Sequence, residues 1–179
     1  MATVVAYVVS GSGGSPTVVT PVDTVTHTAG SPIVLAKGGQ SIAVTPNGRT
    51  VYVPVLHTVT PIHTATNTAG PPIPVGNEPF ALVVTPNGRT VYVGNIGSNS
   101  VTPIRVSTSS PLADIPVGKG PSRVVITPDG RTVYTVNVTD NSVTPIRVSS
   151  NTPGPAIPVG GPPTLRPSPQ TARRCTSAI

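Results

Sequence analysis

The stretch that decides the fold is Thr-Pro-Asn-Gly-Arg-Thr-Val-Tyr-Val at residues 45–53. It recurs unchanged at residues 85–93 and, with two substitutions, as Thr-Pro-Asp-Gly-Arg-Thr-Val-Tyr-Thr at residues 127–135. The copies start 40 and 42 residues apart, which is the length of one supersecondary repeat. The sequence therefore predicts a repeat protein.

Three further markers keep the same register. Val-Thr-Pro begins at Val19, Val59, Val101 and Val143. Ile-Pro-Val-Gly begins at Ile73, Ile115 and Ile157, with a weaker copy at Ile33. The tyrosines fall one per repeat, at Tyr7, Tyr52, Tyr92 and Tyr134. Chance does not place several unrelated markers in one register, so each repeat is one structural unit.

Each unit contains four short apolar runs, which in the third unit are residues 81–85, 90–94, 100–107 and 112–117. Pro-Asn-Gly or Pro-Asp-Gly separates the first two runs. Proline presets the first corner of a tight turn and glycine takes its left-handed position, so these runs form a hairpin. Four strands in about 42 residues make one blade of a β-propeller.

The inner runs do not alternate with polar residues, as Leu82-Val83-Val84 shows. A continuous apolar run is typical of a strand covered on both faces, as when blades pack against each other. Proline inside the third strand cannot donate to a ladder. We therefore expect a bulge, or an amide position without a partner, at Pro21, Pro61, Pro103 and Pro145.

Together these motifs resemble the YVTN-family β-propeller repeat over nearly all of residues 2–163. The name-giving Tyr-Val-Thr-Asn occurs as variants, Tyr-Val-Gly-Asn at residues 92–95 and Tyr-Thr-Val-Asn at residues 134–137. The resemblance implies a propeller, usually of about seven blades, associated with bacterial and archaeal surface-layer or exported proteins. It also implies similarity to lactonase-like propellers.

The predicted fold is all-β, a partial propeller of about four blades with four antiparallel strands each, in a fragment of a longer protein. The first blade is incomplete because the chain begins at the Tyr7 strand, the second of a blade. We expect the blades to span about residues 1–36, 37–76, 77–118 and 119–160. An irregular tail follows at residues 164–179, and its codons can spell a fifth repeat in another reading frame. An ordinary disordered tail is the alternative.

Composition excludes several classes of function. The net charge is +6, but the arginines are spread over turns, strands and the tail, and aromatic residues make up 3%, so nucleic-acid binding is not expected. Mean hydropathy of +0.15 argues against disorder.

The apolar N-terminus lacks a basic segment and is broken by residues 11–14, so no signal peptide or membrane span is predicted. Cys175 has no cysteine partner, which leaves the compartment open.

Candidate chemical groups do not converge in the repeat alignment. His27, His57 and His63 occupy three different positions of the unit, so no metal site is expected. Glu78 is the most interesting acid, because it lies in the loop before an inner strand, where the other repeats have Gly38 and Gly120. A single glutamate without a base or second carboxylate is weak evidence for catalysis. No catalytic, cofactor-binding or metal-binding residue is therefore predicted.

Three interpretations of function follow from these observations. The leading one is a non-catalytic propeller scaffold, a module for interaction with a protein or a cell-surface component. The second is a fragment of a lactonase-like enzyme, and the third is a truncated product without a function of its own. An open arc of blades exposes apolar sheet faces at both ends, so we also expect the chain to self-associate.

Overall fold

The computed structural model describes residues 5–11 and 15–160, and the irregular tail lies outside them. Four antiparallel sheets follow one another along this part of the chain, which confirms the all-β partial propeller. It contains no helix that could span a membrane. The first sheet consists of β1 (Val5–Ser10), β2 (Pro16–Asp23), β3 (Thr28–Ala29) and β4 (Ile33–Lys37). The second consists of β5 (Ala43–Val44), β6 (Thr50–Val55), β7 (Thr58–His63), β8 (Thr68–Ala69) and β9 (Ile73–Pro74).

The third and fourth sheets have the same layout as the second, with a longer inner strand. The third consists of β10 (Pro79–Val84), β11 (Thr90–Asn95), β12 (Ser100–Arg105), β13 (Ser110–Pro111) and β14 (Ile115–Pro116). The fourth consists of β15 (Pro121–Ile126), β16 (Thr132–Asn137), β17 (Ser142–Arg147), β18 (Thr152–Pro153) and β19 (Ile157–Pro158). Within its described residues, the first sheet has no strand that corresponds to β10 or β15.

The repeated hairpin turn forms as the sequence predicts. Gly48 has a left-handed φ of 68°, and its N–H donates to the Thr45 carbonyl at 2.8 Å. The Thr45 hydroxyl donates to Asn47 Oδ1 at 2.7 Å, and the same oxygen accepts the Arg49 N–H at 3.0 Å. Glycine adopts this φ without the steric cost that a side chain adds, which explains why the turn keeps it in every copy.

The outer strand of each complete blade is split into two short pieces, where the sequence predicted one run. In the third sheet, Pro111 pairs with Ile104 and Ile115 pairs with Val101, whereas the residues between them leave the ladder. The gap lies opposite Pro103, whose carbonyl still accepts the Leu112 N–H at 2.8 Å. Proline has no N–H to donate to the outer ladder at this gap, and the pairing of β12 shows no register shift at Pro103.

The core consists of three clusters, each between two adjacent sheets. In each cluster, a valine and an isoleucine or leucine of one sheet, together with a buried or partly buried tyrosine, meet valines, isoleucines or a leucine of the next. Between the third and fourth sheets the buried members are Tyr92, Val101, Ile115, Val124, Val133 and Ile146. Face-to-face stacking of successive sheets is the packing of propeller blades.

Candidate functional site

One end of the sheets is formed by the segments before the inner strands and by the turns between the second and third strands. We call this end the loop face; its best-defined part is residues 76–78, 96–99, 118–120 and 138–141. The Ile96 N–H donates to the Glu78 carbonyl at 2.9 Å, and the Val138 N–H donates to the Gly120 carbonyl at 3.0 Å. Segment and turn are thus fixed to each other in both sheets.

At each of these contacts, a side-chain oxygen of the turn accepts one more hydrogen bond from a backbone N–H of the segment. Ser98 Oγ accepts the Asn77 N–H at 2.5 Å, and in the fourth sheet Asp140 Oδ2 accepts the Lys119 N–H at 2.6 Å. Serine and aspartate occupy the same place in the two turns. The Asp140 carboxylate is therefore engaged by backbone, which is the ordinary role of aspartate in a turn.

Beneath the loop face of the third sheet lies a chain of three buried polar groups that ends at an exposed carboxylate, which we call the third-sheet ladder. It consists of Asn95, Ser100, Thr102 and Asp114. Asn95 Nδ2 donates to Ser100 Oγ at 3.1 Å and to Thr102 Oγ1 at 2.8 Å. Thr102 Oγ1 in turn donates to Asp114 Oδ1 at 2.5 Å. The hydrogen bonds all point toward the exposed Asp114 carboxylate.

The fourth-sheet ladder repeats this arrangement with Asn137, Ser142 and Thr144. Asn137 Nδ2 donates to Ser142 Oγ at 3.1 Å and to Thr144 Oγ1 at 2.8 Å. Thr135 Oγ1 also donates to Asn137 Oδ1 at 3.0 Å, so the amide is bonded through both its atoms. Each ladder therefore holds the ends of a second and a third strand together.

Besides Asp114, which Ala156 replaces in the fourth sheet, the two ladders differ at the asparagine side-chain oxygen. Asn95 Oδ1 is buried without a hydrogen-bond partner in the described part of the chain. Val93 stands where Thr135 stands in the fourth sheet, and it has no hydroxyl to donate. A buried acceptor without a donor costs about 1–3 kcal/mol.

Two glycines lie directly against the side-chain amides of Asn95 and Asn137. A Cβ at Gly76 would lie 2.7 Å from Asn95 Nδ2, and a Cβ at Gly118 would lie 2.5 Å from Asn137 Nδ2. The N–H groups of these glycines donate to Thr102 Oγ1 and Thr144 Oγ1, each at 3.3 Å. Each ladder thus also binds the segment that leads from the preceding sheet into the ladder's own sheet.

The inner strands border a shallow groove of about 290 Å³. Its wall is mainly apolar, and Arg123 is its charged member. Arg123 is exposed and stands where Ser41 and Ala81 stand in the preceding repeats. Sequence reasoning did not single it out, although the loss of a small residue at this repeat position was a visible signal.

Glu78 lies where the sequence placed it, in the segment before β10. The residue is exposed and left-handed, with φ of 53°, in the place of Gly38 and Gly120. Its carboxylate carbon lies against Gly97, 3.3 Å from where a Cβ would be. The ion pair found among the described residues joins Arg131 to Asp129 at 4.0 Å, in a hairpin turn at the opposite end of the strands.

The three histidines are exposed and lie apart in the fold. His57 is in the turn after β6, His63 ends β7, and His27 is in the loop after β2. Over residues 5–11 and 15–160, no group of three histidine, cysteine, aspartate or glutamate side chains is close enough to hold a metal ion. Residues 12–14, part of the glycine-rich break in the apolar N-terminus, lie outside the described residues.

The groups described next, whose pKa values are shifted, lie in turns or between adjacent sheets. Hydrogen bonds from the Thr26 and Val25 N–H groups lower the pKa of Asp23. Bonds from the Thr127 hydroxyl and the Arg131 N–H lower the pKa of Asp129. Burial between the third and fourth sheets raises the pKa of Tyr92 to about 12. These shifts accompany structural contacts, since none of these groups belongs to the loop face.

Comparison with solved structures places the arrangement among propellers. Hydrazine synthase from Kuenenia stuttgartiensis is 28% identical with a TM-score of 0.67, over 69% of this chain and 36% of that one. A functionally unknown protein from Desulfotomaculum acetoxidans DSM 771 is 22% identical with a TM-score of 0.72, over 84% and 50%. Apo AztD from Citrobacter koseri is 14% identical with a TM-score of 0.64, over 87% and 47%. The chain thus spans half or less of each of these proteins.

No curated protein is significantly similar in sequence. A family model described as lactonase, 7-bladed beta-propeller matches residues 55–155, which is more than half of the chain. The matched region runs from the end of β6 to the loop before β19 and includes all of the third sheet. The chain therefore belongs to the seven-bladed β-propeller lactonase family.

Proposed function

We propose that the chain is a non-catalytic β-propeller scaffold whose loop face serves as an interaction module for a protein or a cell-surface component. In this proposal the repeats are of the YVTN type, and the blades span about residues 1–36, 37–76, 77–118 and 119–160. The chain is then part of a longer propeller, of the kind that surface-layer and exported proteins carry.

The observation that carries the proposal is the pair of buried ladders. Catalytic sites aim polar groups at the place where a substrate reacts. Here Asn95 and Asn137 instead donate to hydroxyls of the adjacent strand, and Thr102 and Thr144 accept backbone N–H groups. The polar groups next to the loop face are engaged in holding the fold together.

The carboxylates at the loop face and directly beneath it support the same interpretation. Asp140 is bonded to the Lys119 backbone, Glu78 lies against Gly97, and Asp114 accepts from Thr102 and Ser100. A hydrolase needs a base or nucleophile within hydrogen-bond reach of a second functional group. Asp114 and Asp140 have structural partners, whereas the rest of the loop face is rich in Gly, Ser, Asn and Thr, residues suited to contact.

Co-sedimentation with purified bacterial cell-wall polysaccharide tests this proposal. We expect wild-type protein to pellet with the polymer, and we expect Glu78→Lys with Arg123→Glu to weaken pelleting because both side chains are exposed at the loop face and the inner groove. Arg89→Glu, in the hairpin turn at the opposite end of the strands, is the matched control and should pellet normally. Equal pelleting of all three proteins would contradict a binding role for the loop face.

A lactone hydrolase is the second candidate, favoured by the family to which the chain belongs. Glu78 and Arg123 are then the groups that approach the substrate. Hydrolysis of a sugar δ-lactone, with and without added calcium, separates the two candidates. The scaffold proposal predicts the uncatalysed rate, whereas turnover that Glu78→Gln abolishes would establish the enzyme.

A further inference from the structure

The hairpin turns between the inner and second strands form the end of the sheets opposite the loop face, and we call this end the turn face. Each turn carries an arginine directly after its glycine, and the third strands of the last two sheets end on a second arginine at the same face. In the third sheet, Arg105 pairs with Thr90, the residue after Arg89. In the fourth sheet, Arg147 pairs with Thr132 in the same way. The turn face therefore carries five arginines: Arg49, Arg89, Arg105, Arg131 and Arg147.

Neighbouring turns are in contact, which brings the arginines of different sheets together. A Cβ at Gly88 would lie 3.4 Å from Pro46 Cδ of the preceding turn, and a Cβ at Gly130 would lie 3.2 Å from Pro86 Cδ. In the fourth sheet, both arginines border one hollow of about 390 Å³. Arginines that are spread over turns and strands in the sequence thus form one basic surface in the fold.

The guanidinium groups of this surface are accessible to a ligand. The turn engages the backbone of its arginine, since the Arg89 N–H donates to Asn87 Oδ1 at 3.0 Å. All five arginines are exposed, and within the described residues only Arg131 has an ion-pair partner, Asp129 at 4.0 Å. Arg89 and Arg105 are exposed although their sheet lies between two others, so this exposure does not depend on what precedes or follows the described blades.

The two ends of the sheets carry net charges of opposite sign. Among the described residues, the turn face has the five arginines and two aspartates, Asp23 and Asp129, which leaves a net charge of +3. Both aspartates accept hydrogen bonds from backbone N–H groups beside them. The loop face and the positions next to it have three carboxylates and two lysines, a net charge of −1: Glu78, Asp114, Asp140, Lys37 and Lys119. An anionic surface therefore attracts the turn face and orients the molecule.

An apolar side chain lies at the same end of the first sheet. Val25, in the loop after β2, is 73% exposed, more than any other large apolar side chain of the described residues. Ala65 and Ser107 hold the corresponding positions of the next two sheets and are exposed as well, although a sheet precedes each of them. An exposed apolar side chain on a basic surface is typical of proteins that rest on a lipid bilayer. Phosphate and sugar, by contrast, cover the outside of a nucleic-acid duplex.

We propose that the turn face docks on the surface of an anionic phospholipid membrane, with the arginines bound to lipid phosphates and Val25 entering the interface. A guanidinium group binds two phosphate oxygens at once, so arginine suits this ligand. The five arginines are distributed over three sheets at one end, and a planar array of phosphates reaches all of them together. Docking directs the loop face away from the membrane, so the inference does not rest on what that face binds.

Binding to vesicles of defined composition tests this docking. The full chain is sedimented with vesicles of equal parts phosphatidylglycerol and phosphatidylcholine, and with vesicles of phosphatidylcholine alone. We expect binding to the anionic vesicles only. Added salt should weaken it, because the screening length falls from about 10 Å at 0.1 M to about 3 Å at 1 M ionic strength. A chain that ignores the anionic vesicles, or binds both kinds equally, would overturn the proposal.

Charge reversal at the two ends of the sheets locates the contact. Arg89→Glu should weaken vesicle binding roughly 10- to 30-fold, since each unit of charge at an anionic surface contributes about fivefold. Lys37→Glu makes the same change at the end of β4, where Lys37 pairs with Pro16 at the loop-face end, and should bind as wild type does. Far-UV circular dichroism checks that both variants fold. Equal losses in the two variants would show that net charge alone drives binding, which contradicts docking through the turn face.

The Arg89→Glu variant also keeps the two proposals apart. It should still pellet with cell-wall polysaccharide, because the loop face is unchanged. Vesicle binding without polysaccharide binding would leave the turn-face proposal standing and contradict the loop-face one.

Val25→Ser distinguishes a membrane from a nucleic acid as the partner. It installs the serine found at Ser107 and Ser149 and keeps every charge. We expect it to weaken vesicle binding roughly two- to tenfold, because an apolar contact with the bilayer is lost. Fluorescence anisotropy with a short DNA duplex should show weaker binding than the vesicles give at the same ionic strength. A duplex that binds as tightly as the vesicles, or a Val25→Ser variant that binds vesicles as wild type does, would contradict a lipid surface as the partner.

Discussion

The third and fourth sheets share the same repeated motifs, yet their tyrosines lie in different surroundings. Tyr92 is fully buried under the fourth sheet and bonded to Asn151, whereas Tyr134 is half-buried and has no partner in the described chain. The strands around them have the same register. Local sequence therefore determines the strand, and the neighbouring sheet determines how much stability a side chain contributes.

Replacing Tyr92 or Tyr134 one at a time should give the largest difference in the free energy of unfolding. Tyr92→Ala is expected to lower the free energy of unfolding by about 3–5 kcal/mol, the usual cost of deleting a buried aromatic ring. Tyr134→Ala should cost less than about 2 kcal/mol, because its ring has less area to lose. Urea unfolding of each variant measures both costs. Equal costs would show that the fourth sheet does not cover Tyr92.

A methyl group at Gly118 tests whether the fourth-sheet ladder is as close-packed as its geometry indicates. Its Cβ would lie 2.5 Å from Asn137 Nδ2, so Gly118→Ala should destabilise the fold by about 1–3 kcal/mol. Gly160→Ala is the matched control, since nothing lies within 4 Å of a Cβ there. Thermal unfolding of the two variants makes the comparison, and similar melting temperatures would contradict the close packing.

Exchanging the residues at positions 93 and 135 should reverse the difference between the two asparagine side-chain oxygens. Val93→Thr supplies the donor that Asn95 Oδ1 lacks and should stabilise the protein by about 0.5–1.5 kcal/mol. Thr135→Val leaves Asn137 Oδ1 unpaired and should destabilise it by about 1–3 kcal/mol. Urea unfolding gives both values. A loss of stability in Val93→Thr would mean that the Asn95 oxygen already has a donor.

The buried phenol of Tyr92 predicts a dependence on alkaline pH. Burial raises its pKa from 10.0 to about 12, so between these values the unfolded chain ionises and the folded chain does not. Its contribution to stability is therefore complete below pH 10 and is lost as the pH rises to about 12. Tyr92→Phe should flatten this part of the profile of unfolding free energy against pH. An unchanged slope would place the ionising group elsewhere.

The repeated motifs predicted most of the fold, because turn chemistry and strand pattern are local. Pro46, Asn47 and Gly48 determine one hairpin, and the register of three copies determines the rest. The split outer strand was missed because it depends on what lies opposite Pro103, a contact that the order of residues does not display. Pairing across a sheet becomes visible only when the strands are assembled.

The candidate site was less predictable. Glu78 could be placed because it replaces glycine at a repeated loop position. Asn95 and Asn137 were missed because a polar residue at the end of a strand has the same appearance whether it is solvated or buried. The regular spacing from each asparagine to the following serine and threonine was the available signal. Arg123 was overlooked because it lies in a short strand directly before the apolar run Val124-Val125-Ile126.

The central claim is that a tyrosine bonds from one sheet to the next, as Tyr7 does to Asn67 and Tyr92 to Asn151, and a double-mutant cycle between Tyr92 and Asn151 tests it most directly. Unfolding free energies of Tyr92→Phe, Asn151→Ala and the double variant should give a coupling of about 0.5–1.5 kcal/mol. Tyr134→Phe combined with Asn151→Ala should show no coupling, because the hydrogen bond to Asn151 comes from Tyr92. Zero coupling between Tyr92 and Asn151 would contradict the account, because the two residues would then not meet across the joint.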